Sequence, residues 1–188
     1  MSFTSTLVAD LEANSLIGAG NVGFFSIVRA VIVASFYNPS FMCVFWYRVN
    51  RLLYERGHWR LSRFLSAQRR YRFSNDISPA ASIGPGLYIP HLPDIVIGTK
   101  AVIGSRATIF NGVTVGTKWM HDKKMPVIGD NVIIGTGAKL LGSIRIGNNV
   151  VIGALSFCGR DVPDNSIAYG IPPNFTIKPY EGKLASGS

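Results

Sequence analysis

The chain of 188 residues holds three histidines, His58, His91 and His121, and two cysteines, Cys43 and Cys158. Imidazole titrates near neutral pH, so it can take up a proton and return it during a reaction. His91 is the most distinctive of the three. It stands in Ile89-Pro-His-Leu-Pro-Asp94, where Pro90 and Pro93 restrict the backbone on either side. The plain alternative is a histidine that fills a corner of the fold. Asp94, three residues on, is a carboxylate near that imidazole. A second polar stretch, Thr117-Lys-Trp-Met-His-Asp-Lys-Lys-Met-Pro126, places Trp119 close to His121. A catalytic zinc held by histidines needs about three of them, and only His91 and His121 lie in this part of the chain, so no metal is expected. Two cysteines are too few for a disulfide scaffold or a cysteine-rich zinc module.

The scaffold for these residues is written as a period of six. Aliphatic residues recur at Ile77, Ile83 and Ile89, then at Ile97, Ile103, Ile109 and Val115, then at Ile128, Ile134, Leu140, Ile146 and Ile152, and Cys158 takes the next slot. Glycine follows most of them. A small or aliphatic residue lies four positions further on, as at Ala81, Ala107, Val132 and Ala138. A period of six fits neither a helix nor a hairpin. It predicts a triangular parallel β-helix, one short strand and one corner per unit and three units per coil. The period breaks twice. Ile89 to Ile97 spans eight positions and Val115 to Ile128 spans thirteen. Insertions in repeat proteins gather where binding occurs, and these two carry His91 and the Trp119–His121 stretch.

The rest of the chain reads differently. Apolar residues make up 47% and charged ones 15%, which excludes a disordered polyampholyte. The net charge is +9, and eight arginines with one glutamate place most of it in residues 48–72. No nucleic-acid motif accompanies them, so no nucleic-acid partner is expected. Leu61, Phe64 and Leu65 fall on one helical face there, and Arg56, Arg60, Arg63 and Arg70 on another. Two readings stay open: a solvated face on a core helix, or peripheral contact with an anionic membrane or glycan carrier. Ala30–Tyr47 is uncharged over 18 residues, the length of a minimal membrane span, but Asn38-Pro39 interrupts it. Burial against helices or another subunit is expected instead. The start of the chain lacks the order of a signal peptide, so the expectation is a cytoplasmic protein, with any membrane contact at the inner face. The domain plan is a helical region 1–75, a β-helix 76–172 and a tail 173–188.

Several stretches carry a resemblance: Asp76-Ile-Ser-Pro-Ala-Ala-Ser-Ile-Gly84, Gly86-Leu-Tyr-Ile-Pro-His91, Ile95-Val-Ile-Gly98, Gly112-Val-Thr-Val-Gly116, Ile128 through Lys139, and Val162-Pro through Pro172. Over residues 37–175 the chain resembles the left-handed hexapeptide-repeat acyltransferases, and within them the serine acetyltransferase branch. The resemblance implies a left-handed coil, a homotrimer, and direct acetyl transfer from acetyl-CoA without an acyl-enzyme. It implies that His91 is the general base and that Asp76 pairs with it, fixing the tautomer and stabilising the imidazolium. Backbone N–H groups of Gly112–Gly116 are candidate oxyanion donors. The positions that match the family's acetyl-CoA contacts are Gly116, Thr117, Thr136, Ala138, Gly153 and Ala154, with Pro172 and Pro173 near the adenine. Arg160 and Lys178 are candidates for the phosphates.

The acceptor is where the chain departs from that branch. The serine enzymes carry an acidic residue before the base, where this chain has Pro90. They carry an Arg-His pair before a loop proline, where this chain has Lys124-Met125-Pro126. They also have a longer helical N-terminal region. Trp119 and His121 suit a sugar instead, the ring against the apolar C–H face and the polar group against hydroxyls. The expected acceptor is therefore a sugar hydroxyl of a surface polysaccharide or its precursor, bound by Trp119, His121 and Asp94. The alternative is serine O-acetyltransferase of cysteine biosynthesis.

Overall fold

The computed structural model describes residues 2–18, 20, 23–119, 121 and 124–180. Four helices come first: α1 (Phe3–Ala13), α2 (Phe24–Tyr37), α3 (Pro39–Glu55) and α4 (Trp59–Phe73). Asn38 separates α2 from α3. Its side chain accepts the Phe41 N–H at 2.9 Å, and Pro39 occupies the first turn, where its missing N–H costs nothing. The long uncharged stretch is thus divided between two helices. Among the described residues, no helix is long and apolar enough to cross a membrane.

The strands that follow are β1 (Asp76–Ile77), β2 (Ser82–Ile83), β3 (Val96–Ile97), β4 (Val102–Ile103), β5 (Thr108–Ile109), β6 (Thr114–Gly116), β7 (Val127–Ile128), β8 (Ile133–Ile134), β9 (Lys139–Leu141), β10 (Arg145–Ile146), β11 (Val151–Ile152), β12 (Phe157–Cys158), β13 (Ser166–Tyr169) and β14 (Thr176–Pro179). They form three parallel sheets: β1-β3-β6-β9-β12 (sheet A), β2-β4-β7-β10 (sheet B) and β5-β8-β11-β13 (sheet C). The chain visits A, B and C in turn, which makes it a parallel β-helix. β14 departs from the pattern, running antiparallel to β13 in the segment expected to be a tail.

All thirteen slots of the six-residue period point inward, and each is buried. Away from the two insertions, the residues four positions later are buried as well, from Ala81 at the first coil to Ser156 at the last. The glycines after the slots serve coil stacking. A Cβ on Gly104 would lie 2.4 Å from an Asp130 carboxylate oxygen and 2.6 Å from the Gly129 carbonyl carbon. Only a residue without a side chain lets the coils close to strand spacing there.

Register locates the two insertions. Ile97 pairs with Val115 and Leu140 with Cys158, each eighteen positions apart. Ile77 pairs with Ile97, twenty apart, and Val115 with Leu140, twenty-five apart. Two residues are therefore extruded around Pro90–Pro93, at the corner from sheet C to sheet A. Seven more are extruded between β6 and β7, at the corner from A to B.

The helices cap the first coil, and the hydrogen-bond direction explains how. Along the strands each coil donates mostly to the next one, as in Ser82 N–H to Ala101 C=O and Val102 N–H to Pro126 C=O, while some corner groups such as Gly112 N–H point back. The carbonyls of the first coil have no coil before them. Arg48 donates to the carbonyls of Ile83 (2.6 Å) and Gly84 (2.7 Å). The Tyr47 hydroxyl donates to Ala81 (2.7 Å), Asn14 to Leu87 (3.1 Å), and Arg69 to Ile77. Asp10 pairs with Arg48 at 2.7 Å and accepts the N–H groups of Gly86 and Leu87, each at 2.9 Å.

This cap corrects the amphipathic assignment of α4. Its buried residues are Ser62, Ser66, Arg69 and Phe73, whereas Leu61 and Phe64 are exposed. Ser62 and Ser66 bond the buried Asn50 side chain at 2.6 and 2.7 Å. Two arginines of the basic run, Arg48 and Arg69, are thus buried parts of the cap and not a solvated face.

Candidate active site

Sheet A is flanked by the two corners that carry insertions. At the C-to-A corner, the turn bearing His91 is pinned on one side. Pro93 C=O accepts the Gly112 N–H at 3.0 Å, Asp94 N–H donates to Ser74 C=O at 2.9 Å, and Ile95 N–H donates to the Asn75 side chain at 2.8 Å. Asp94 takes a left-handed backbone, φ 65°, which aspartate tolerates better than most residues. The His91 ring is exposed and lies 6.2 Å from Phe110, centroid to centroid. A backbone held on neighbouring coils with an exposed imidazole fits proton transfer better than corner filling.

The same corner continues up the coil. Gly137 N–H donates to Asn111 C=O and Leu155 N–H to Thr136 C=O, each at 2.8 Å, and the Thr136 hydroxyl bonds the Asn111 side chain at 3.2 Å. Phe157 N–H donates to Gly170 C=O at 3.0 Å, just ahead of Pro172 and Pro173. His91, Thr136, Gly153, Ala154 and the proline pair therefore share one edge. Gly153 is required by packing, since a Cβ there would come within 2.8 Å of Tyr169 Cβ.

Other candidates lie elsewhere. Gly116, Thr117, Trp119 and His121 belong to the A-to-B corner, across sheet A, and both Trp119 and His121 are exposed. The path of loop 117–126 includes Met120, Asp122 and Lys123, which lie outside the described residues. Arg160 follows β12 at that corner and donates to Phe175 C=O at 2.7 Å. Lys178 sits in β14, its ammonium 5.9 Å from the Tyr169 ring centre.

Two expectations need correction, and the expected Asp76–His91 pair is open in this structure. The Ala138 side chain is wholly buried at the corner position four residues after Ile134; its N–H bonds Gly135 C=O and its carbonyl accepts Thr114 N–H, so neither its side chain nor its N–H is open to a ligand. The Gly112 and Thr114 N–H groups are likewise taken, by Pro93 and Ala138, and are not free oxyanion donors. Asp76 and His91 make no hydrogen bond to each other. The Asp76 carboxylate lies 3.3 Å from Arg70 at the end of α4. Such an exposed ion pair is worth about 0–1 kcal/mol, so it holds the carboxylate only weakly.

Neither cysteine is placed for nucleophilic work. Both are buried. Burial pushes the Cys158 thiol up to about 11, and burial also raises Cys43. Sequence reasoning overlooked Lys139, which projects outward from β9 on sheet A and donates to Gly112 C=O (2.7 Å) and the Thr114 hydroxyl (3.0 Å). A lysine at the outward position just before an inward leucine was the available signal. Phe110 and Asn111, the neighbours of His91 on the next coil, carried no signal beyond their place in the period.

Residues 125–160 match the bacterial transferase hexapeptide (six repeats) family. The chain is 40% identical over 135 residues to the serine acetyltransferase of Synechococcus elongatus, covering 71% of this chain and 55% of that protein. It is 38% identical over 133 residues to the serine acetyltransferase of Helicobacter pylori, covering 70% of this chain and 78% of that one. The chain belongs to the serine acetyltransferase family. The crystal structure of the Neisseria gonorrhoeae member superposes with a TM-score of 0.81 at 32% identity, covering 96% of this chain and 66% of that one. A member solved in complex with CoA superposes with a TM-score of 0.76 at 28% identity, covering 94% and 70%. The chain spans 55–61% of the length of the first curated relatives it matches. These relatives overturn the expected sugar acceptor and the polysaccharide branch. The missing charged residues near the base were read as loss of serine binding, yet similarity to serine acetyltransferases runs through most of the chain.

Proposed function

We propose that the chain is a serine O-acetyltransferase that moves the acetyl group of acetyl-CoA to the hydroxyl of L-serine. Membership of the serine acetyltransferase family carries this reading, together with an exposed His91 on a pinned turn. His91 takes the serine hydroxyl proton as the oxygen attacks the thioester carbonyl. The tetrahedral intermediate collapses, the C–S bond breaks, and the imidazolium returns its proton to the CoA thiolate. Asp76, held only by an exposed arginine, turns toward His91 to support the imidazolium. Asp94 offers a carboxylate for the substrate ammonium.

The coil is left-handed in this reading and the assembly is a homotrimer. A cyclic trimer has heterologous interfaces, so one corner of each subunit meets a different corner of its neighbour. The A-to-B corner with Gly116, Thr117 and Arg160 would then face the C-to-A corner with His91, Thr136 and Ala154, and acetyl-CoA would lie between them. Lys178 would meet its phosphates from β14.

The test is thiol release from acetyl-CoA with and without L-serine, on the parent chain and on His91→Ala. Release that depends on serine and falls by ~10²–10⁴ in the variant is expected. CoA affinity should be unchanged. Release indifferent to serine, or a variant with parental turnover, would overturn the assignment.

A further inference from the structure

The helical region carries a surface that acetyl transfer does not use. On α2 the buried stripe is Ile27, Ala30 and Ala34. The opposite side is apolar apart from the exposed Arg29. Phe25, Val28, Ile32 and Phe36 recur there at spacings of three and four, and Phe25 and Phe36 are 86% and 77% exposed. A contiguous exposed apolar face marks an interaction site, and an arginine set within it suits a polar–apolar boundary. On α4, Trp59, Leu61, Phe64 and Tyr71 are exposed and alternate with exposed Arg60, Arg63 and Arg70, and exposed Arg56 stands just before them at the end of α3. The Arg60 guanidinium lies 5.1 Å from the centre of the Trp59 ring. The two helices share a boundary, because Phe36 of α2 and Arg72 of α4 line one cavity of about 390 Å³.

Acidic charge is nearly absent from this side. Between residues 13 and 75 the only acidic residue is Glu55, which pairs with Arg51 at 2.7 Å, and Asp76 just beyond pairs with Arg70 at 3.3 Å. We propose that α2 and α4 form a peripheral docking surface for an anionic lipid bilayer. The aromatic and aliphatic side chains enter the headgroup boundary, and the arginines meet lipid phosphates. Charge favours this occupant over a second copy docked by two-fold symmetry. An isologous contact would set the same arginines against each other, whereas an anionic leaflet neutralises them. At fourteen residues α2 is too short to span a bilayer, so it lies in the interface plane.

The test is flotation of the full chain with vesicles of phosphatidylcholine alone or of phosphatidylcholine mixed with phosphatidylglycerol. Binding to the mixed vesicles is expected, with roughly tenfold weaker partition on the neutral ones and a further loss in high salt. F25S/F36S and R60E/R63E should each lower partition by roughly tenfold or more while circular dichroism stays parental. R60E/R63E changes only exposed side chains, so it remains informative if the first variant unfolds. Equal partition on both vesicle types, or none, would overturn the proposal. So would a smaller assembly of F25S/F36S by light scattering without lipid, which would assign the face to a second copy.

Discussion

The β-helix and its helical cap bury their residues by opposite rules. In the β-helix every inward slot is aliphatic or a cysteine, and the apolar pattern alone locates the core. In the cap, α4 turns Ser62, Ser66 and Arg69 inward and leaves Trp59, Leu61 and Phe64 outside. The difference lies in what each packs against. A middle coil stacks on another whose backbone groups are already paired, so only apolar side chains need filling in. The first coil presents carbonyls with no partner coil, and an unmet buried backbone group costs about 1–3 kcal/mol. The cap must therefore be polar where it docks, whatever its helical periodicity suggests.

The largest effect should come from unpairing the Asp10–Arg48 contact. Asp10→Ala leaves Arg48 buried without its counter-charge and removes the acceptor for Gly86 and Leu87, which should cost about 3–5 kcal/mol in urea denaturation. An isolated buried ion pair can be exchanged for apolar residues at little cost. Here the double variant Asp10→Leu/Arg48→Met should stay destabilised, because the Ile83 and Gly84 carbonyls also lose their donor. A double variant as stable as the parent would show that the cap is held by packing alone.

A second pair of substitutions compares apolar positions across the two regions. Ile134→Ala opens a cavity in the stacked interior and should cost about 2–5 kcal/mol. Leu61→Ala, on the exposed side of α4, should change stability by no more than about 0.5 kcal/mol. Equal costs would mean that Leu61 is covered by another surface in solution.

Legibility followed the same division. The six-residue period gave the coil, both insertions and the buried positions, because inward residues in a β-helix are fixed by local alternation. The helices of the cap were legible, including the break at Asn38, but their orientation was not. Nothing in the spacing of Arg48 or Arg69 marks the unpaired carbonyls of Ile83 or Ile77. At the candidate site, His91 stood out through its prolines and its place in an insertion. The expected partner of Asp76 came from the resemblance, and the charge it meets in the structure is Arg70, six residues before it at the end of α4. The acceptor was misjudged for a related reason. Loop residues such as Trp119 have chemistry that can be read, but spacing does not show which surface they face.

The smallest predicted effect compares the two buried thiols, one in each region. Cys158 fills the last inward slot of sheet A and donates to the Arg160 carbonyl at 3.3 Å. Burial raises its pKa from the ordinary 9.0 to about 11, with Arg160 acting in the opposite direction. Cys43 lies in α3 beside polar groups. Burial raises it too, against the Asn75 amide at 3.5 Å and the Arg69 guanidinium. The sign of the pH effect follows from proton counts. From about pH 9 to about pH 11 the unfolded Cys158 thiol ionises while the folded one keeps its proton. The unfolded state then binds fewer protons, so stability falls as pH rises through that window. This contribution is fully present below pH 9 and lost above about pH 11. Cys158→Val should make the alkaline loss of stability shallower by on the order of 1 kcal/mol. Cys43→Val should flatten it as well, because burial outweighs the amide and the arginine that favour the Cys43 thiolate. Denaturant titrations of the parent and both variants across this window test both thiols. A Cys158→Val variant with the parental alkaline slope would remove the part assigned to burial in the apolar stack.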